Sequence, residues 1–261
     1  MIQKRYVLVI LAVLLLSSCA DLSPTYYYHP ALLNNDVAYL PKPLSTDSSK
    51  TAKYISVGVV SGIEPDVFDH YTYGTLNLSM AHTFKHLNIA YGAYGFSGTY
   101  GTTQFGDTIR NGFNSKNFYG YGGRVSINAF KHYGIADIRF IGLEAHYSHE
   151  SGSYANFRNT FYGAQSYYID KSTDLLTVGA TTEVSWHGAD DTNIQYGFRG
   201  FAGTTLGNHN LYNSRSDYSY WSSSSEHINF SASFYFQHHQ LFAIVENGGS
   251  EHTSLRIGYR F

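Results

Sequence analysis

The 261-residue sequence has one cysteine, two methionines, two tryptophans and five prolines, and no proline lies beyond Pro65. A lone cysteine excludes an intrachain disulfide framework. A long proline-free stretch suits continuous sheet, because proline cannot donate to a strand ladder. Charge is scarce as well. Asp, Glu, Lys and Arg make up 14% of residues, against about 25% in soluble domains. There are 17 basic and 19 acidic residues and no basic run, so nothing supports a nucleic-acid partner. The longest apolar run, residues 7–16, is ten residues and too short to cross a bilayer as a helix. What is abundant is aromatic: 25 Tyr and 17 Phe, with 25 Gly. The mean hydropathy is nevertheless −0.25. Such a chain is too aromatic to be disordered and too polar on average for a helical membrane protein.

The amino terminus reads as an export signal. Lys4 and Arg5 precede the apolar run, which ends in Leu16-Ser17-Ser18-Cys19. An aliphatic residue, two small residues and a cysteine resemble the lipobox of bacterial lipoproteins. The resemblance implies a signal peptide over 1–18, cleavage before Cys19 and acylation of that cysteine, with palmitate among the chains. Ala20 after the cysteine, where inner-membrane retention usually has Asp, implies sorting to the outer membrane by the lipoprotein-sorting machinery. Residues 19–52 hold four of the five prolines and read as a lipidated tether. Tyr26-Tyr27-Tyr28 and apolar patches at Leu32 and Leu40 are more than a solvated spacer needs, and leave two readings open: docking on the body or occupancy of a lumen.

Residues 53–261 read as an all-β body of about ten strands, with eight or twelve as alternatives: 53–61, 74–84, 87–101, 118–130, 135–148, 174–187, 194–206, 227–237, 241–246 and 253–261. Connections alternate between short (85–86, 131–134, 188–193, 238–240) and long (62–73, 102–117, 149–173, 207–226). This is the plan of an antiparallel up-and-down transmembrane β-barrel. An even strand number puts both ends of the barrel, and on this reading Cys19 too, on the periplasmic short-turn side. Period-2 alternation supplies a lipid face. Leu255, Ile257, Tyr259 and Phe261 alternate with Ser254, Arg256, Gly258 and Arg260. Leu176, Val178, Ala180, Val184 and Trp186 alternate with Thr177, Gly179, Thr181, Glu183 and Ser185. The fifth strand changes parity, and a bulge near Ile141 restores its face. The terminal Phe261 with Tyr259 two residues before it resembles the carboxy-terminal signal read by the barrel-assembly machinery.

For function, the inward parity collects Arg124, Glu144, Glu183, Arg199 and Arg256, expected to pair as a lumen network because a lone desolvated charge is costly. The long connections carry Tyr154, Phe157, Arg158 and Tyr162, then Tyr212, Arg215, Tyr218, Tyr220 and Trp221. Tyr, Trp and Arg among Ser, Gly and Asn form an adaptable recognition surface, with a glycan or other surface ligand as the candidate partner. Four acid–His neighbours fall at the long-connection rim: Asp69-His70, His149-Glu150, Glu226-His227 and Glu251-His252. Omptin proteases use such residues, but no omptin motif is matched. His146-Tyr147-Ser148 resembles the His-x-Ser of lipid A deacylase barrels, although His149 stands where that family has Asn. The expectation is a lipid-anchored outer-membrane barrel of a Gram-negative bacterium, in contact with membrane lipid and lipopolysaccharide. It has no cofactor, no metal and no catalytic residue, and a structural or surface-recognition role. A narrow or gated solute transporter is the alternative, and an outer-membrane hydrolase the third reading.

Overall fold

The computed structural model describes residues 27–29, 38–47, 49–64, 69–101, 115–160, 167–188, 191, 193–206, 211–213, 229–248 and 252–261. Cys19 lies outside the described residues.

Ten antiparallel strands close into a barrel: β2 (Thr51–Glu64), β3 (Asp69–Thr83), β4 (Leu87–Gly101), β5 (Lys116–Tyr133), β6 (Ala136–Gly152), β8 (Asp174–His187), β9 (Ile194–Leu206), β11 (Asn229–His238), β12 (Leu241–Gly248) and β13 (His252–Arg260). Each strand pairs with its chain neighbours, and β13 pairs with β2 to close the wall. The ten strands are those expected from the alternation. Five of them (β2, β3, β5, β6 and β12) run a few residues further than expected, as where β6 reaches Gly152, and β4, β8 and β9 have the expected bounds. The remaining elements belong to the long connections and the amino-terminal segment. Between β6 and β8 lie a helix α1 (Ser153–Thr160) and a short strand β7 (Tyr167–Asp170). β7 pairs with β1 (Tyr27–His29) on one side and β10 (Leu211–Asn213) on the other.

Side-chain parity builds two faces. Inward positions of β6 (Asp137, Arg139, Glu144, His146, Ser148, Glu150) are buried. Outward ones such as Ile138, Leu143 and Tyr147 are exposed. The parity change falls where expected: the β6–β8 register shifts between Arg139 and Gly142, and Phe140 and Ile141 both point outward, 59% and 55% exposed. Without that extra residue, every side chain above it would swap faces. At the end of β6 the chain turns sharply through Gly152, whose φ of 119° is left to glycine. A Cβ there would come within 2.7 Å of the Asn117 carbonyl. Ser153 then bonds the backbone of Asn117 and starts α1 across the barrel mouth.

Candidate functional site

The lumen is filled in three tiers. Nearest the long connections is an aromatic tier of Tyr73, Phe96, Tyr100, Phe118 and Leu175. Tyr154 of α1 enters it and stacks on Tyr100 with centroids 4.2 Å apart. Arg158, one turn further along α1, bonds Glu150 at 2.8 Å and the Asp170 carbonyl at 2.6 Å. Nearest the short turns is a second apolar tier, with Tyr54, Ala81, Tyr235, Phe242 and Ile244. It is completed by Tyr39 and Leu40 from the segment ahead of β2. The charged tier overlaps this one: Arg256 is the cross-strand partner of Ile244, and Tyr39 bonds both Glu183 and Glu246.

Segment 38–47 runs inside the wall and supplies part of that charge. Tyr39, Lys42 and Leu44 are buried to 1%, 0% and 2% exposure. Glu183 is the hub. Its carboxylate accepts from Arg139 at 2.6 Å, Tyr39 OH at 2.5 Å, Ser185 at 2.9 Å and Lys42 at 3.0 Å. Lys42 Nζ is also 4.0 Å from Glu144, which pairs with Arg199 and accepts from Ser126 at 3.0 Å. Glu246 takes Arg256 Nη2 at 2.7 Å and the Tyr39 amide at 2.6 Å, while Arg256 donates to the Tyr39 carbonyl at 2.7 Å. The segment is tied at its backbone as well. The Pro43 carbonyl accepts from Arg139 and Thr83, and the Lys42 carbonyl accepts from Gln195. Lower down, Ser45 bonds Asp137, and Asp47 meets Arg260 at 2.7 Å. Beyond these ties a polar cavity of about 410 Å³ opens at the short-turn mouth, beside Asp47, Gln195 and Arg260.

Each residue expected in the lumen therefore has a definite place. Glu144 with Arg199, Glu183, and Arg256 lie in the charged tier. Arg124 differs: it bonds the Asn77 side-chain oxygen at 2.9 Å and lies 3.9 Å from the Tyr94 ring centroid. Arg139, Lys42, Tyr39 and Glu246 also belong to the network and are absent from the expected set. Glu246 shares its inward face with Phe242 and Ile244, so β12 offered no polar face by which to recognise it.

The recognition surface needs correction where it is described. Tyr154 and Arg158 are fully buried, and Phe157 packs against the aromatic tier beneath Lys116. These three pack into the lumen at the long-connection mouth. Tyr162, Arg215, Tyr218, Tyr220 and Trp221 lie outside the described residues, and Tyr212 is described only by its backbone in β10. At the carboxy terminus Tyr259 and Phe261 stand edge to face, 5.0 Å apart, on the outer side. Of the acid–His neighbours, Asp69-His70 and His149-Glu150 are described and do not pair with each other, while Glu226, His227 and Glu251 lie outside the described residues. Adjacent residues of a strand face opposite ways, so Asp69 turns inward to Tyr100 while His70 is exposed. Glu150 likewise turns inward, away from His149. His146 and Ser148 are lumen residues, 1% and 2% exposed, with His146 against Tyr94.

No family model and no curated protein matches the chain. Solved structures similar to it include the transport unit of the autotransporter AIDA-I from Escherichia coli. That match has 10% identity and a TM-score of 0.41, covering 87% of this chain and 94% of that one. The translocator domain of the autotransporter NalP from Neisseria meningitidis matches with 10% identity and a TM-score of 0.38, over 84% and 90%. An outer membrane channel from Pseudomonas putida F1 matches with 10% identity and a TM-score of 0.39, over 89% and 99%.

Proposed function

We propose that this protein is an integral outer-membrane β-barrel of a Gram-negative bacterium, sealed by its own amino-terminal segment, with a structural and surface-recognition role. Placement in a membrane rests on the outer face. Val57, Leu78, Ile127, Leu143, Phe234 and Ile257 all point outward and are between 44% and 67% exposed. A closed wall leaves no unpaired strand edge, and an apolar band on such a wall is the surface a bilayer covers. Lipid and lipopolysaccharide are its immediate partners on this reading. Its assembly depends on the barrel-assembly machinery acting on the Tyr259–Phe261 end.

One observation carries the sealed state. Lys42 is wholly buried between Glu183 and Glu144 while its backbone carbonyl accepts from Gln195. A segment held at both side chain and main chain closes the lumen to solute. Because β1 pairs with β7 in the β6–β8 connection, Tyr27 stands at the long-connection mouth. The long connections at that mouth are the recognition surface on this reading.

A gated solute path is the second reading. It is favoured by the noncovalent, polar attachment of the plug and by the arginines that would line a vacated lumen. Single-channel recording in planar bilayers separates the two. The full-length protein should be electrically silent, and a variant lacking 38–47 should show current steps. Steps from the full-length protein would replace the sealed reading with the gated one.

A further inference from the structure

Three side chains that sequence reading did not group stand together on the outside of the barrel, at the long-connection ends of β6 and β8. Ser151 and His149 are two residues apart in β6 and share a face, and Asp174 is the cross-strand partner of His149. Ser151 Oγ lies 3.2 Å from His149 Nε2, and His149 Nδ1 lies 2.8 Å from Asp174 Oδ1. Asp174 is itself held: Tyr147 OH donates to Oδ1 at 2.6 Å and the Thr173 hydroxyl donates to Oδ2 at 3.2 Å. A carboxylate accepting from Nδ1–H fixes the imidazole tautomer and leaves Nε2 free to take a proton from the serine. Those are the three roles that activate a serine nucleophile.

The surroundings suggest what such a serine would meet. Tyr119 is the cross-strand partner of Ser151, and the Tyr121 ring lies 5.4 Å from His149. Tyr119, Tyr121, Tyr147 and Leu176 all face outward and are at least two-fifths exposed. The serine thus sits where the apolar band meets the rim. On the membrane placement proposed above, that is the level at which a lipid's ester linkage would stand above acyl chains lying along the band.

We propose that Ser151, His149 and Asp174 form an acyl-ester hydrolase site for membrane lipids. This rests on the membrane placement proposed above. Ser151 Oγ attacks the ester carbonyl carbon while His149 Nε2 takes its proton. The carbon–oxygen bond to the alcohol breaks, and that proton passes to the departing alkoxide, leaving an acyl-serine and a lyso-lipid. Water, deprotonated by His149, then cleaves the acyl-serine, releasing a fatty acid and restoring the hydroxyl. The His146–Ser148 pair that resembles the deacylase motif is three residues earlier. An odd offset puts it on the opposite face, in the lumen, away from lipid.

The test uses the full-length protein in detergent, treated with a fluorophosphonate probe, followed by peptide mass spectrometry. Label is expected on Ser151. It should be absent in Ser151→Ala and unchanged in Ser148→Ala, with folding of each variant checked by heat-dependent mobility on SDS gels. In parallel, fatty acid release is measured from vesicles of phosphatidylethanolamine and phosphatidylglycerol, with and without lipopolysaccharide. Release from phospholipid alone assigns that substrate, and release only with lipopolysaccharide assigns the latter. Asp174→Asn should lower release by about 10⁴-fold. The proposal fails if folded protein gives neither label nor fatty acid, or if Ser151→Ala keeps either. Labelling in detergent does not require the bilayer, so its failure is distinct from a failure of the membrane placement.

Discussion

Glu183 shows how much of the lumen depends on one carboxylate. It is the anion shared by Arg139 and Lys42, both with fully buried side chains. Removing one partner of a buried pair leaves an uncompensated charge, which costs about 3–5 kcal/mol. Glu183→Gln is expected to lose stability on that scale, and Lys42→Met less, because Arg139, Tyr39 and Ser185 still satisfy Glu183. The urea midpoint for loss of the compact, unheated gel form measures both; equal losses would contradict the hub role. The inward set Arg124, Glu144, Glu183, Arg199 and Arg256 was legible from parity alone. Their partners were less so. Lys42 and Tyr39 come from a proline-containing segment with no strand period to orient them. Glu246 was masked because β12 has apolar residues on both faces, Phe242 and Ile244 inward and Ala243 and Val245 outward.

Elements were more legible than their ends. Strand spacing survives because alternation is a property of many residues. The bulge at Phe140 and Ile141 was readable because it displaces a whole parity pattern. Its necessity can be checked. Deleting Ile141 should rotate one side of β6 onto the wrong face, sending Glu144 and His146 outward and Leu143 inward. Such a chain should fail to give the heat-modifiable barrel band, whereas Ile141→Val, which keeps the residue count, should assemble normally. Helix α1 was not legible. Ser153–Thr160 carries little apolar periodicity, and tertiary contacts made by Tyr154 and Arg158 hold it in place. For the same reason its aromatic and basic residues read as loop contacts when they are interior packing.

At the scale of the molecule, strand parity governs the barrel but not the chain that precedes it. An even strand number does place the start of β2 and the end of β13 together, with Phe261 N bonded to the Lys53 carbonyl. From there segment 38–47 runs backwards into the lumen. Asp47 is at Arg260 near the short turns, Ser45 at Asp137, Lys42 at Glu183 and Tyr39 at Glu246, and β1 lies beside β7 at the other mouth. The closed wall, with β13 paired to β2, thus encloses segment 38–47. A consequence can be read on intact cells. An epitope inserted between Cys19 and Tyr27 should bind antibody without permeabilising the outer membrane. An epitope in the short turn between β11 and β12 should bind only after permeabilisation. Both epitopes hidden until permeabilisation would mean that the amino terminus stays on the periplasmic side and the threaded path is wrong. Both accessible on intact cells would overturn the assignment of the short turns to the periplasm.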